Sequence, residues 1–349
     1  MTIDNEAQPQ GARPKISRAT IRDVAMMAKV SVTTASRALN DTGRMTEHTR
    51  MRVRTAAEQL DYRPNPMARG LVQRRSFTLG LLTNDTYGRF TLPVAAGLSM
   101  AMMDRGVSVF LCAGENDPAR EQLNLRAMEE KRVDGLVIAG KRIDRGLSID
   151  LSSLDMPVVH VNAACPNGGV GFLPDDVGGA EMAVTHLIRL GRHSIAHVAG
   201  PRDFLAVLLR EKGYFKALEK SGCEPFGEVI FGNWSEAHGF EAAHRLFAAH
   251  GPHPDAVFCG NDQIARGMID AITIMGMRVP EDVAVVGFDN WEIFAAATRP
   301  ALTSIDMGFH DLGKRAGFSL LSMIDGQSVE RAVTKMPCRI VVRQSCGAT

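Results

Sequence analysis

The 349-residue chain is 45% hydrophobic and 23% charged, which excludes disorder over most of its length; at roughly 100–200 residues per domain it points to two or three packed units. No apolar run approaches the ~20 residues that cross a bilayer, and the polar first stretch, with Pro9 and Pro14, lacks the apolar core of a secretory signal, so a cytoplasmic protein with no membrane partner is expected. The formal net charge of +1 conceals a division: residues 1–75 hold 14 Lys and Arg against 7 Asp and Glu, and the remainder holds 26 against 32. A basic head on an acidic body fits either a nucleic-acid contact confined to one end or a solvated basic arm.

Residues 1–17 are polar and aperiodic and are expected to form a disordered tail. Over 18–63 three short helices are predicted. Thr20 is a good N-cap, and Ile21, Val24, Ala25 and Ala28 recur on one helical face. After the Lys29-Val30 turn, Ser31 can cap a second helix with Ala35, Ala38 and Leu39 inward. Thr46 can cap a third, with Val53, Ala56, Ala57 and Leu60 at the same repeat. Pro64 and Pro66 open a linker spanning 64–76.

From residue 77 to 349 strand-like runs alternate with helix-length segments. The runs are Leu79–Thr83, Val107–Cys112, Gly135–Ala139, Pro157–Val161, Ile195–Ala199, Ala256–Cys259 and Val283–Phe288. The segments between them are Leu92–Arg105, Ala119–Lys131, Gly178–Leu190, Phe204–Lys220, Glu236–His250 and Gln263–Met275. Strands apolar throughout and joined by helices indicate parallel sheets covered on both faces. So many units predict two doubly wound lobes with a ligand cleft beyond the carboxyl ends of the strands.

Two helices joined by a tight turn make a helix-turn-helix, whose second helix enters the DNA major groove. Its open face here would be Val32, Thr33, Ser36 and Arg37. Arg37 can donate twice to guanine, Val32 can meet a thymine methyl, and Thr34 suits a phosphate. A helical hairpin that binds nothing has the same pattern.

The run Thr20-Ile21-Arg22-Asp23-Val24-Ala25, followed by residues 28–40 (AKVSVTTASRALN), resembles the N-terminal signature of the lactose/galactose repressor family. The likeness continues through Thr49-Arg50, Ala56, Leu60, Tyr62, Pro64-Asn65 and Ala68-Arg69-Gly70-Leu71, then over nearly the whole chain. It implies an all-α helix-turn-helix head and an α/β bilobed, periplasmic-binding-protein-like body of two doubly wound parallel sheets. The implied function is that of a transcriptional regulator, most often a repressor, acting as a homodimer on double-stranded operator DNA. The DNA-contact candidates are Thr20, Ser31, Val32, Thr33, Thr34, Ser36, Arg37 and Asn40 in the head, and Asn65, Ala68 and Leu71 in the hinge. In the family the hinge becomes helical on the operator and a leucine from each subunit, here Leu71, wedges into the central base step. Such a wedge unstacks one step and bends the duplex in exchange for wider contact. Val32-Thr33 departs from the tyrosine-glutamine pair of the best-known members, which leaves the operator sequence open.

In the body the resemblance implies a small effector, a mono- or disaccharide ahead of a purine or other polar metabolite, held by Phe90, His160, Arg210, Trp234, Asn261 and Asp289. The chemistry is coherent in itself: Arg, Asn and a carboxylate match the hydroxyl edge of a sugar, and an aromatic ring covers its C–H face. Each residue also has an ordinary reading: Arg210 on a helix surface, Asp289 as a helix cap, Trp234 in the core and His160 as an interior histidine. The segment Leu92–Met103 is apolar nearly all round, which fits a dimer interface or a helix buried within one subunit. The chain ends near Val342–Ser345 with no heptad-patterned tail, so a dimer is expected ahead of a coiled-coil-tethered tetramer.

Enzyme readings find little support. There is no Gly-x-Gly-x-x-Gly turn, P-loop or Gly-x-Ser-x-Gly elbow. The six cysteines are scattered without a Cys-x-x-Cys pair, and Cys112 and Cys259 read as small buried hydrophobes. His193-x-x-x-His197 runs into a strand without a third ligand, and Asp175-Asp176 are expected to favour a helix N-terminus through its dipole. No cofactor and no metal are expected. A sugar-binding module for transport shares the body's fold, but it needs export and has no use for the head.

Overall fold

The computed structural model describes residues 19–62, 75–85, 88–166, 168–247 and 251–348. Two compact units are present, Met1–Ser76 and Phe77–Thr349. The predicted tail 1–17 and the hinge candidates Asn65, Ala68 and Leu71 lie outside the described residues.

The first unit holds α1 (Ile21–Met27), α2 (Val32–Leu39) and α3 (Glu47–Gln59). The caps fall where the side chains predict them. The Thr20 N–H and hydroxyl both donate to Asp23, at 2.7 and 2.8 Å. The N–H of Thr34 donates to Ser31 Oγ and that of Thr49 to Thr46 Oγ1. Each of the three N–H bonds satisfies an amide that the helix itself cannot. The core is small and built mainly of alanine: Val24, Ala25, Ala28, Ala35, Ala38, Val53, Ala56 and Ala57. Leu39 and Leu60 pack at its rim. Polar ties add to this little burial. Arg50 and Arg54 both reach Asp41, at 2.7 and 2.6 Å, and Arg52 donates to the Ala28 carbonyl.

The second unit contains two six-stranded sheets. One is formed by β1 (Thr78–Thr83), β2 (Ser108–Ala113), β3 (Gly135–Ala139), β4 (Val158–Val161), β5 (Val170–Pro174) and β11 (Val333–Met336), in the order β11-β5-β4-β3-β1-β2 and parallel throughout. The other contains β6 (Ile195–Ala199), β7 (Ile230–Phe231), β8 (Ala256–Cys259), β9 (Ala284–Asp289), β10 (Thr303–Asp306) and β12 (Arg339–Val341), in the order β12-β10-β9-β8-β6-β7. Only β12 is antiparallel to its neighbour. The chain therefore passes between lobes three times, at residues 174–176, 306–309 and 336–339.

Helices cover the sheets: α4 (Thr91–Met102), α5 (Pro118–Glu130), α6 (Asp176–Arg189), α7 (Leu205–Ser221), α8 (Glu236–Phe247), α9 (Asp262–Ile274), α10 (Glu292–Ala297) and α11 (Phe309–Ile324). The pair α4 and α11 packs backbone to backbone. A Cβ on Gly97 would lie 2.0 Å from the His310 carbonyl, and one on Gly313 would lie 2.2 Å from that of Val94. Glycine is what lets these helices meet. The apolar Leu92–Met103 segment is buried on one side within the subunit, at Val94, Leu98, Ala101 and Met102, while Leu92 and Met103 are 62% and 75% exposed.

Candidate functional site

In the head, Val32, Thr33 and Arg37 form an outward face of α2, with Val32 43% exposed. Arg37 is steered by its neighbour: a Cβ on Gly43, whose φ is +80°, would sit 3.0 Å from Arg37 Cδ, so the arginine stem lies along the glycine. Arg22, Lys29 and Arg44 are also exposed and extend the positive surface. Other candidates have local work. Thr20 and Ser31 cap helices, Thr34 shares a 2.9 Å hydroxyl bond with Ser31, and Asn40 donates to the Ser36 carbonyl at 2.9 Å.

In the body, the carboxyl ends of both sheets meet around an ionic cluster. Arg210 lies in the middle of α7, with Nε 2.8 Å from Asp176 and Nη1 2.6 Å from the Gly260 carbonyl and 3.4 Å from Asp289. Its guanidinium stacks 3.8 Å from the Phe288 ring centroid, and Nη2 faces the Met307 sulfur at 3.3 Å. Burial opposes the Arg210 charge, but Asp176 and Asp289 outweigh it and hold the group protonated. Burial also pushes the Asp176 carboxyl up against the pull of Arg210. Asp289 and Asn290, at φ 99° and 47°, occupy the left-handed region, a costly bend of the kind that concentrates at working sites.

The first lobe reaches into this cluster through Arg89, whose Nη2 lies 2.8 Å from Asp289 and whose Nη1 donates to Gln263. The guanidinium also covers the Phe90 ring at 4.4 Å. Asp262 accepts from the Ser304 hydroxyl and, at 2.8 Å, from the Trp291 N–H. Burial, reinforced by Asp289, pushes its carboxyl up to about 8. Trp234 lies flat on Gly200, where a Cβ would come within 2.5 Å of the indole, and meets Phe204 edge-on at 5.7 Å.

Five of the six predicted effector residues therefore share one neighbourhood, four directly and Phe90 by way of Arg89. Arg210 and Asp289 are bonded, Trp234 lies 5.8 Å beneath the same guanidinium, and Asn261 opens α9 next to Gly260. Phe90 joins them through Arg89. His160 does not: it stands within β4 on the sheet face shared with Val158 and Ile138, where burial lowers its pKa against the opposing effect of a backbone bond to Val170. The fork of Arg210, expected to grip a ligand, is largely taken up by Asp176, Gly260 and Asp289. Neither carboxylate of the Asp175-Asp176 pair acts only through the helix dipole. Asp175 caps α6 through the Gly178 N–H, and Asp176 turns inward to Arg210. Two carboxylates at one helix start, where a cap needs one, were the available signal for Asp176; Arg89 carried none. His197 is sealed in the core, its Nδ1 on the Phe258 carbonyl and its pKa lowered by burial to about 4, and among the described residues no group of His, Cys, Asp or Glu could hold a metal.

A three-helix head with an outward-facing second helix, joined to a body of two doubly wound lobes, fits the class of helix-turn-helix transcriptional repressors. Residues 20–65 match the bacterial regulatory proteins of the lacI family, and residues 184–346 match the periplasmic binding protein-like domain. The transcriptional repressor CytR of Escherichia coli K12 is 30% identical over 341 residues, covering 97% of this chain and 99% of the relative. PurR of Aliivibrio fischeri MJ11 is 32% identical, covering 94% and 98%. Among solved structures, the lac repressor dimer bound to operator and the anti-inducer ONPF superposes with a TM-score of 0.73 at 27% identity, covering 95% of this chain and 100% of that one. The CelR–cellobiose complex superposes at 0.64 and 28%, covering 94% and 100%. The chain belongs to the LacI family of bacterial regulatory proteins. Its relatives are transcriptional repressors rather than enzymes.

Proposed function

We propose that this repressor works in the cytoplasm as a homodimer whose two heads bind half-sites of a near-palindromic operator, and that a saccharide in the body cleft controls that binding. Each α2 enters the major groove, with Arg37 on a guanine and Val32 against a thymine methyl. Leu71 of each subunit, flanked by Asn65 and Ala68, opens the central step. In the cleft, Asn261, Asp289 and the free edge of Arg210 take hydroxyls, while Trp234 and Phe90 cover ring faces.

The observation that carries this reading is the chain of bonds Asp176–Arg210–Asp289–Arg89, which runs from one lobe to the other across the strand ends. A ligand seated there exchanges contacts with both lobes at once, so it has different affinities for different lobe arrangements. Only such a difference can act on the heads, typically through 1–3 kcal/mol of coupling. The operator-bound lac repressor dimer and the cellobiose complex of CelR support the same assignment.

The test is a thermal-shift screen of the full-length protein against mono- and disaccharides, with purines as a separate arm, followed by operator binding with each hit. A saccharide that raises Tm and changes operator affinity is the expected result. A response confined to purines overturns the sugar assignment. No preference for any fragment of the source genome overturns the whole reading.

A further inference from the structure

Resting on the cleft reading above, the geometry points to a charge filter: we infer that the cleft accepts uncharged polyhydroxylated ligands and rejects their phosphate esters. Phosphate recognition depends on cationic groups whose N–H bonds are free to fork onto the oxygens. Here two guanidiniums meet two carboxylates. Arg210 lies on Asp176 and Asp289, and Arg89 on Asp289. At the rim, Arg142 is matched by Asp144 at 2.8 Å and Asp203 at 3.0 Å. None of these three arginines is left over for a dianion, and entry of one would set two extra charges beside buried carboxylates.

What remains unbonded suits hydroxyls. Asp176 Oδ2 is a buried acceptor without a partner, and Asn261 Nδ2 a buried donor without one. Arg210 Nη2 has only the Met307 thioether, a weak acceptor. A vicinal diol donates to the first and accepts from the other two, with no change in net charge. Saccharides and the ribose of nucleosides both present that chemistry.

Calorimetric titration of the full-length protein with matched pairs tests the inference. Glucose, galactose and trehalose are each compared with their 6-phosphates, and adenosine and cytidine with their 5′-monophosphates. The sugar and nucleoside arms separate the two sources. The parent that binds should lose about ten-fold or more in affinity as its ester; an ester that binds as tightly as its parent, or binds alone, overturns the filter. A second measurement needs no ligand identity. Millimolar inorganic phosphate, against chloride at equal ionic strength, should shift the Tm of the wild type no more than that of Arg210→Ala. It should stabilise Asp176→Asn, in which Arg210 has lost a counter-charge. Stabilisation of the wild type that Arg210→Ala lacks overturns the inference. Trp234→Ala replaces Arg210→Ala if the latter does not fold. Unchanged ligand affinity in the variant would remove the cleft reading itself, whereas lost affinity with tight ester binding removes only the filter.

Discussion

Arg142, in the loop after β3, grips Asp203, in the loop before α7, twice: 3.0 Å to the carboxylate and 2.6 Å to the backbone carbonyl, with its guanidinium 3.7 Å over the neighbouring Phe204 ring. It thus ties the first lobe to the second at the rim, as Arg89 does at Asp289. Asp203 is mostly exposed, so the pair contributes only about 1 kcal/mol. That is enough to alter the closed fraction. Arg142→Ala should weaken effector binding about five-fold through that fraction while leaving operator affinity without effector within two-fold. An effector titration with unchanged affinity would show that the grip has no part in closure.

Removing Arg210 acts on stability as well as on sensing. Arg210→Ala strands Asp176 in a buried site and leaves Asp289 to Arg89 alone, and breaking such a buried pair costs about 3–5 kcal/mol. We expect a lower Tm and no effector response, with operator binding retained below that Tm. A full effector response in the variant would move the site elsewhere.

Asp262 gives the body a pH dependence of known sign. An unfolded Asp titrates near 3.9, and the folded carboxyl at about 8. Between those values the native state holds the extra proton, so this group's contribution is complete below pH ~4 and is lost as pH rises toward ~8. Asp262→Asn cannot ionise and lacks that slope. Urea unfolding at pH 5 and pH 8 should show a smaller fall in the variant than in the wild type; equal falls in both would contradict the assignment.

On DNA, Arg37→Ala should cost about 1–3 kcal/mol and relax preference at one base pair. Selection from a randomised operator library provides the check, and an unaltered binding logo rules out base reading by this residue.

Leu71→Ala separates wedge from linker. Loss of the wedge should reduce operator affinity at least ten-fold while leaving non-specific duplex binding nearly constant, because only specific binding uses the opened step. Equal losses on both DNAs in a fluorescence titration would make Leu71 an ordinary linker residue.

Much of this was legible in the residues. The head helices announce themselves through Thr20, Ser31 and Thr46 at their starts and through the alanine repeat. The seven apolar runs all became strands, six of them as central parallel strands buried on both faces and one, β2, as a partly exposed edge. Five strands and two helices, α10 and α11, left no such mark. β11, VTKM, is largely exposed; β7 has two residues; β10, TSID, buries hydroxyls instead of branched apolar chains. α11 and the three passages between lobes depend on which sheet each late segment joins, which local patterning does not encode. Within the site, Arg210 and Asp289 were readable beside their neighbours, whereas Arg89 and Asp203 matter only because folding brings distant loops together.

The late return of the chain to its first sheet governs how the molecule can be made and divided. Because α11 and β11 complete that lobe, a nascent chain on the ribosome holds it unfinished until nearly all of the protein has been synthesised. A fragment ending after β5 would expose the glycine-lined groove of α4 and an open strand edge, both prone to aggregation. The halves of the body are accordingly not exchangeable cassettes, and a chimera that swaps one lobe must transplant two separated stretches together.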